Sequence, residues 1–382
     1  MTKPIITVMT SYYNDQDFLA DAISSVLSQT YTNFEYILLN HASTDKSREI
    51  AHSFTDPRIK HIDLPKNYGA SGNILIKKSL EQAAGTYLKT LSANDMLLPN
   101  ALEKLLCKAQ EEQADLVFGD VCFVNKNKKS NGRTWFRNRY PAHLPVSQYL
   151  REFINGTSYF PYAGNFIKME PFKKVTLDYV SVQLADIGIW IEMLFNGAKL
   201  AFVDEPVANY RIHDKQMCTA SQLENIRKRC LFEHFLFCEH YFNAKPNLTL
   251  LQQVFPDDPF VSQLTTEDTD LFPFAIAQAI YRLGPNEVYK LAARQKIASC
   301  LNNYPLQQRI EEKFSYTLKD LRANILREPY KVLTYQTKTL REASLKDLAY
   351  YFFRKIGFIL LLKDWKEKRK RERLLKSNDD IL

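Results

Sequence analysis

Short apolar runs alternate with amphipathic segments over the first part of the chain. Residues 5–10 are apolar and β-branched, which is typical of a strand buried in a parallel sheet. Residues 17–29 carry apolar side chains at helical spacing, and residues 34–39 form a second apolar run. The alternation continues through predicted helices at 45–54 and 71–84 and predicted strands at 59–62, 86–91, 115–120 and 198–203. The pattern predicts an α/β fold, with a mostly parallel sheet covered by helices on both faces.

The alternation stops after about residue 214. Beyond it lie long stretches at helical spacing that are rich in aromatic side chains, of which 223–242 and 272–283 are the clearest. They predict a C-terminal all-helical region at 216–344.

The C-terminal residues 345–382 form a basic amphipathic tail. Its apolar part, 348–362, contains two charged residues and is shorter than the roughly 20 residues that span a bilayer. The chain has a formal net charge of +8, and residues 341–376 hold 12 basic and five acidic side chains. Most of the positive excess therefore lies in the tail, where it suits an anionic membrane surface. A solvated charged helix packed within a homo-oligomer is the alternative.

Composition restricts the class of protein. Of 382 residues, 45% are hydrophobic, too many for a disordered chain, while 11 Gly and 16 Pro are too few for a low-complexity one. Six cysteines without an apolar N-terminal segment argue against secretion. We expect a cytoplasmic protein, peripheral at most on the inner face of the plasma membrane. Nothing before the tail supports nucleic-acid binding, so we expect no nucleic-acid partner.

Four polar loops follow or connect the predicted strands: 11–14, 40–45, 67–73 and 92–95. Ligands of open α/β sheets bind outside the carboxyl ends of the strands, so these loops are the candidate site. Ser43 or Thr44 could equally cap a helix, and the glycines of 67–73 could serve only a turn.

Six short stretches in a fixed order carry a resemblance to a known family. They are residues 6–14, 22–35, 67–73, 84–87, 98–102 and 204–213. In order and spacing they resemble the glycosyltransferase family 2 pattern on the GT-A fold. The resemblance covers about residues 4–215 and implies a nucleotide-sugar-binding catalytic domain at 1–215.

The resemblance also implies the residues that bind the nucleotide sugar. Ser11 and Tyr13 fall in the first nucleotide-binding loop, and Asn73 falls in the third. Asn40 stands where the family usually has an Asp that accepts a hydrogen bond from the base. An amide both accepts and donates, so the usual preference for uracil is less secure here.

A second departure concerns the metal. The family's Asp-x-Asp-Asp stretch appears here as Ser92, Ala93, Asn94 and Asp95. The resemblance implies Mn²⁺ or Mg²⁺ held by Asp95, Asn94 and His213, with Ser92 near the ribose. Hard cations favour carboxylate oxygens, so the neutral Ser92 and Asn94 should weaken the site.

Two residues near the end of the matching region have a functional and a structural interpretation. His213 falls where the family places a His near the diphosphate or the metal, although a lone His is often structural. Arg211 could offset the charge of the diphosphate, or it could pair with a nearby carboxylate.

The acceptor-side pattern of the family is Glu-Asp followed by a Trp four residues after the Asp. This chain has Ala185, Asp186 and Trp190. The resemblance implies that Asp186 is the base that removes the proton of the acceptor hydroxyl, and that Trp190 lies at the acceptor. The structural alternative is that Asp186 caps a helix.

The sequence thus indicates an inverting glycosyltransferase that transfers a sugar from a nucleotide sugar, with a UDP-sugar expected, to a glycan or lipid-linked acceptor. The expected role is surface polysaccharide or lipopolysaccharide synthesis. A degenerate GT-A domain that binds nucleotide or glycan without turnover is the alternative, motivated by Ser92, Asn94 and Ala185. Cys230, His234, Cys238 and His240 have spacing that zinc could use, but interleaved apolar residues favour a buried core.

Overall fold

In the computed structural model, residues 5–69, 72–138, 140–154, 158–177, 181, 184–213 and 223–327 are described. The strands are β1 Ile6–Tyr12, β2 Phe34–Asn40, β3 Ile59–Asp63, β4 Tyr87–Thr90, β5 Met96–Leu97, β6 Leu116–Asn125, β7 Ser130–Thr134, β8 Asn165–Lys168 and β9 Leu200–Ile212. The helices of the N-terminal half are α1 Leu19–Leu27, α2 Ser47–Ser53, α3 Gly72–Leu80, α4 Ala101–Glu111, α5 Trp135–Asn138, α6 Val146–Ile154, α7 Met169–Phe172 and α8 Ala185–Phe195. The later helices are α9 Leu223–Asn243, α10 Leu248–Val254, α11 Phe272–Leu283, α12 Glu287–Leu301, α13 Tyr304–Phe314 and α14 Leu318–Arg327.

The strands form a single mixed sheet in the order β3-β2-β1-β4-β8-β6-β9-β5, with β7 paired to β6. The predicted parallel core is confirmed in β3, β2, β1 and β4. The remainder differs from a mostly parallel sheet, because β8 runs antiparallel to both of its neighbours, β4 and β6. The α/β class with a C-terminal helical region is confirmed.

Two hydrophobic clusters cover the faces of the sheet. Along β6, Val117 belongs to the cluster that contains α1 and α4, whereas Leu116 and Phe118 belong to the other. That second cluster also contains residues of α8, α9, α11 and α12. The helical region up to residue 321 therefore shares a core with the sheet, within the compact unit Met1–Leu321.

The tail predicted at 345–382 lies outside the described residues. Among the helices that are described, none combines the length and the apolar character needed to cross a membrane.

Candidate active site

The carboxyl ends of β1, β2 and β3 form one side of the site, which we call the β1–β3 edge and define as residues 11–15, 40–45 and 63–68. Tyr12 pairs in register with Asn40, and Asn40 pairs with Asp63 on β3. The parallel arrangement therefore brings the first three predicted loops to a common edge.

The loops after β1 and β2 hold each other in place. Asn14 adopts a left-handed conformation with φ 56°. Its Oδ1 accepts the backbone N–H of Thr44 at 2.8 Å, and its own N–H donates to Oγ of Ser43 at 3.2 Å. Ser43 and Thr44 thus join the two loops. Tyr13 projects from this junction with 45% of its surface exposed, while Ser11 is half-buried at the end of β1.

The side chain of Asn40 forms hydrogen bonds with two other residues of the protein. Its Oδ1 accepts the backbone N–H of Ser43 at 2.9 Å, and its Nδ2 donates to Oδ1 of Asp63 at 2.9 Å. Oδ2 of Asp63 accepts hydrogen bonds from Arg48 Nε at 3.1 Å and lies 3.0 Å from Nε2 of His52. A carboxylate therefore lies beside position 40, on the neighbouring strand.

The loop after β4 folds against the end of β9. Nδ2 of Asn94 lies 3.0 Å from Nε2 of His213, and the ring of His213 packs on Phe18 at 4.5 Å between centroids. The structure thus brings Asn94 and His213 together, as the sequence analysis expected of two residues that share a ligand.

Asp95 points into the protein. It is 1% exposed, and its Oδ1 accepts the backbone N–H of Arg211 at 2.9 Å. The hydroxyl of Ser92 also donates to it. Burial raises the pKa of this carboxyl, partly offset by the hydrogen bond from Arg211 and by the nearby Lys89. Ser92 and Asp95 therefore fix the shape of the loop.

Asp186 lies half-buried in the first turn of α8. Its Oδ1 accepts the backbone N–H of Ile187 at 2.9 Å, whereas the residue at the N-cap position is Leu184. Burial raises the pKa of Asp186 to about 6, and the charge of Glu233 adds to this effect.

Tyr162 lies near both Asp186 and Asp95. Its hydroxyl is hydrogen-bonded to Thr90, the last residue of β4. Burial raises the pKa of Tyr162 to about 12, and the charges of Asp186 and Asp95 both contribute. The phenol of Tyr162 therefore lies within electrostatic range of both carboxyl groups.

Comparisons with known proteins decide the family. The model of glycosyl transferase family 2 matches residues 7–176. The "Putative teichuronic acid biosynthesis glycosyltransferase TuaG" of Bacillus subtilis (strain 168) is 36% identical over 212 residues, which are 55% of this chain and 80% of TuaG. The chain belongs to glycosyltransferase family 2.

Two further similarities support the assignment of family and fold. The "Uncharacterized glycosyltransferase MJ1057" of Methanocaldococcus jannaschii is 27% identical over 252 residues, covering 64% of this chain and 82% of that protein. The crystal structure of S. aureus TarS 1-349 in complex with UDP-GlcNAc matches with a TM-score of 0.50 at 14% identity, over 80% of this chain and 91% of TarS. This second likeness concerns the fold alone.

A family 2 enzyme is expected to bind a divalent metal, and the side chains of the loop after β4 are its candidate ligands. Asn94 supplies only a neutral amide, and the carboxylate of Asp95 is buried against Arg211. Among the described residues, no three His, Cys, Asp or Glu side chains lie close enough together to hold a metal ion. Since Mn²⁺ and Mg²⁺ favour carboxylate oxygens, these ligands do not fit a divalent cation held by the protein alone. The metal role predicted for Asp95 has no support in the geometry.

Three other predicted site residues of the family 2 domain are buried. Arg211 is 1% exposed and pairs with Asp21 at 2.8 Å, which supports the ion-pair interpretation over contact with a diphosphate. Asn73 is 0% exposed in the first turn of α3. Trp190 is 1% exposed and packs edge-on against Phe118 at 5.1 Å, which places it in the core of the protein.

Glu233 is a buried carboxylate near Asp186 that no motif in the sequence marks. It is 2% exposed on α9, and its Oε2 accepts the backbone N–H of Leu184 at 2.7 Å, at the start of α8. The family pattern has a Glu directly before the base, where this chain has Ala185. Glu233 thus supplies a carboxylate near Asp186 from 47 residues further along the chain, a separation that no local pattern reveals.

The His and Cys side chains of α9 have a spacing that zinc could use, but those that are described have other partners. Nδ1 of His240 lies 2.9 Å from Oε2 of the buried Glu192. Cys238 is buried in the core, and burial lowers the pKa of His234 to about 4. His240 thus joins α9 to α8, whereas His234 packs on Tyr289 of α12 at 5.2 Å between centroids. The side chain of Cys230 lies outside the described part of the chain.

Proposed function

We propose that this family 2 enzyme transfers a sugar from a UDP-sugar to a hydroxyl of a glycan or lipid-linked acceptor, with inversion at the anomeric carbon. A role in surface polysaccharide or lipopolysaccharide synthesis is supported by its similarity to TuaG, which is named for teichuronic acid biosynthesis. TarS, which has the same fold, was crystallised with UDP-GlcNAc, so this compound is the first one to test.

The observation that carries the proposal is the state of Asp186. A general base is most effective when its pKa lies near the working pH, and burial raises the pKa of Asp186 to about 6. It remains ionised at neutral pH and can accept a proton.

The proposed step conserves atoms and charge. The carboxylate of Asp186 takes the proton of the acceptor hydroxyl while that oxygen attacks the anomeric carbon. The new carbon–oxygen bond forms on one face as the bond to the diphosphate breaks on the other, and UDP leaves. Asp186 then returns the proton to solvent.

Asp186→Asn tests this role, because an amide cannot accept the proton. We expect transfer to fall by about 10²- to 10⁴-fold, with UDP binding unchanged. Transfer is measured with purified protein and a panel of nucleotide sugars and acceptors. The control is Glu170→Gln, which also removes a carboxylate from a helical first turn but at a 77% exposed side chain.

Full transfer by Asp186→Asn would exclude Asp186 as the base. A wild-type protein that binds UDP but neither transfers nor hydrolyses any sugar would support the binding-only alternative.

For the basic tail, we propose attachment to an anionic membrane surface. Each basic residue near such a surface contributes on the order of 1 kcal/mol. Deleting the chain after Leu345 should release the protein from anionic vesicles in a flotation assay and leave UDP binding intact. Unchanged flotation would favour the alternative of a homo-oligomer contact.

A further inference from the structure

The hydrogen bonding of Asn40 leaves its amide poorly suited to accept from a base. Its oxygen already accepts the N–H of Ser43, and one Nδ2 hydrogen goes to Asp63. A primary amide carries a second hydrogen on the same nitrogen. Within the described part of the chain, no second acceptor lies against this nitrogen, so Asn40 presents a donor where the family usually presents a carboxylate.

Asp63 is placed to act as the acceptor. Two groups, Arg48 and His52, occupy its Oδ2, whereas Oδ1 has Asn40 as its hydrogen-bond donor within the described part of the chain. A carboxylate oxygen can accept two hydrogen bonds, so Oδ1 has capacity for one more. The side chain is 32% exposed, which leaves it open to a ligand.

Neighbouring hydrogen-bond donors stabilise the ionised form of Asp63. Burial alone would raise its pKa, but the hydrogen bonds from Asn40, Arg48 and His52 outweigh this and lower it. Asp63 also contributes, after burial, to the raised pKa of Tyr12, which places its negative charge beside the end of β1.

Two exposed aromatic rings stand at the same edge. Tyr13 is 45% exposed and Tyr68 is 37% exposed. The ring of His41 lies between them, with its centroid 6.2 Å from each, and its Nε2 accepts the backbone N–H of Tyr68. Aromatic faces of this kind can stack on a planar base next to the polar groups.

We propose that Asp63 is the specificity-determining residue for the nucleobase, its Oδ1 accepting the N3–H of uracil while Asn40 donates to the adjacent base carbonyl. The carboxylate expected on β2 is thus provided by β3, one strand further out in the sheet. This inference rests on the proposed use of a UDP-sugar.

The first test uses the unmodified protein. Binding of UDP and of UDP methylated at N3 is measured by isothermal titration calorimetry. We expect the methylated compound to bind about 10- to 100-fold more weakly, because it lacks the hydrogen that Asp63 would accept. Equal binding of the two compounds would overturn the proposal.

Asp63→Asn gives the second test. Arg48 and His52 should orient the new amide so that its oxygen faces them, which turns its NH₂ towards the base. We expect UDP binding to weaken by about 10- to 100-fold and the discrimination against the methylated compound to shrink. The matched control is Asp56→Asn, which changes an Asp paired with Arg58 at the other end of β3.

The exchange variant Asn40→Asp/Asp63→Asn restores a carboxylate at this edge. It should regain most of the UDP affinity lost in Asp63→Asn, because the acceptor returns to a neighbouring position. An Asp63 that only anchors Arg48 and His52 would predict no recovery, and that result would overturn the proposal. A wild-type protein that transfers sugar from a nucleotide other than UDP would instead refute the proposed substrate.

Discussion

The contacts of the β1–β3 edge join residues that are closer in sequence than those of the acceptor side. We define the acceptor side as α8 with its contacts to α9. At the edge, the pairs Asn14 with Thr44 and Asn40 with Asp63 join residues 23–30 positions apart. On the acceptor side, the backbone N–H of Leu184 donates a hydrogen bond to Glu233, and Glu192 lies at hydrogen-bond distance from His240. These partners are 49 and 48 positions apart in the sequence. The match to the family model ends at residue 176, before these contacts begin.

Under the proposed function, this difference separates nucleotide binding from the transfer step. The β1–β3 edge, where we propose that the nucleotide binds, belongs to the part of the chain that matches the family, and its loops are joined by hydrogen bonds to each other. On the other side, Glu233 of α9 accepts the backbone N–H of Leu184 at the start of α8, and its charge adds to the raised pKa of Asp186. A change on α9 should therefore affect transfer without affecting UDP binding.

The largest effect should come from adding a methyl group where α8 packs closely against α9. A Cβ added at Gly188 would lie 2.4 Å from Nε2 of His240. His240 cannot move easily, because it is buried and bonded to Glu192. We expect Gly188→Ala to lower the free energy of unfolding by about 1–3 kcal/mol and to reduce transfer more than UDP binding.

Urea unfolding and calorimetry with UDP check this expectation. Gly72→Ala is the control for the unfolding measurement alone, since no described atom lies within 4 Å of the Cβ it would add. A parallel loss of UDP binding and transfer in Gly188→Ala would contradict the division between the two sides.

A smaller effect is expected on the pH dependence of transfer. Because the proposed base Asp186 would act in its ionised form, kcat/KM should fall about tenfold per pH unit below its pKa, which burial raises to about 6. The negative charge of Glu233 adds to that rise, so Glu233→Gln should move the inflection to lower pH. An inflection that does not move would remove Glu233 from this role, and Glu170→Gln provides the unshifted reference.

The features that the sequence predicts correctly lie mostly on the β1–β3 side. Periodicity predicted the β1–α1–β2 unit, and strand order brought the loops 11–14 and 40–45 together, because parallel strands align their carboxyl ends. The four-residue β8 was missed, and its insertion between β4 and β6 makes the sheet mixed. So short a strand carries too little pattern to be recognised.

The site residues show why position in a motif is not enough. Trp190 and Arg211 occupy family positions, yet both are buried, and their roles depend on the side chains that pack around them. Asp63 and Glu233 lie outside any motif. Both provide a carboxylate close to a position where this chain lacks the usual one, and only the folded arrangement reveals them.

The smallest predicted effect concerns the loop after β4, between the two sides. Asn94→Asp would place a carboxylate about 3 Å from His213 and supply the oxygen ligand that a divalent cation prefers. We expect Mn²⁺ to bind this variant about tenfold more tightly than the wild type, measured by calorimetry, and to stimulate its transfer more strongly. Asn302→Asp, at the end of α12, controls for added charge. Equal Mn²⁺ affinity of Asn94→Asp and the wild type would show that position 94 does not limit metal binding, and the cation would then have to be held chiefly by the diphosphate.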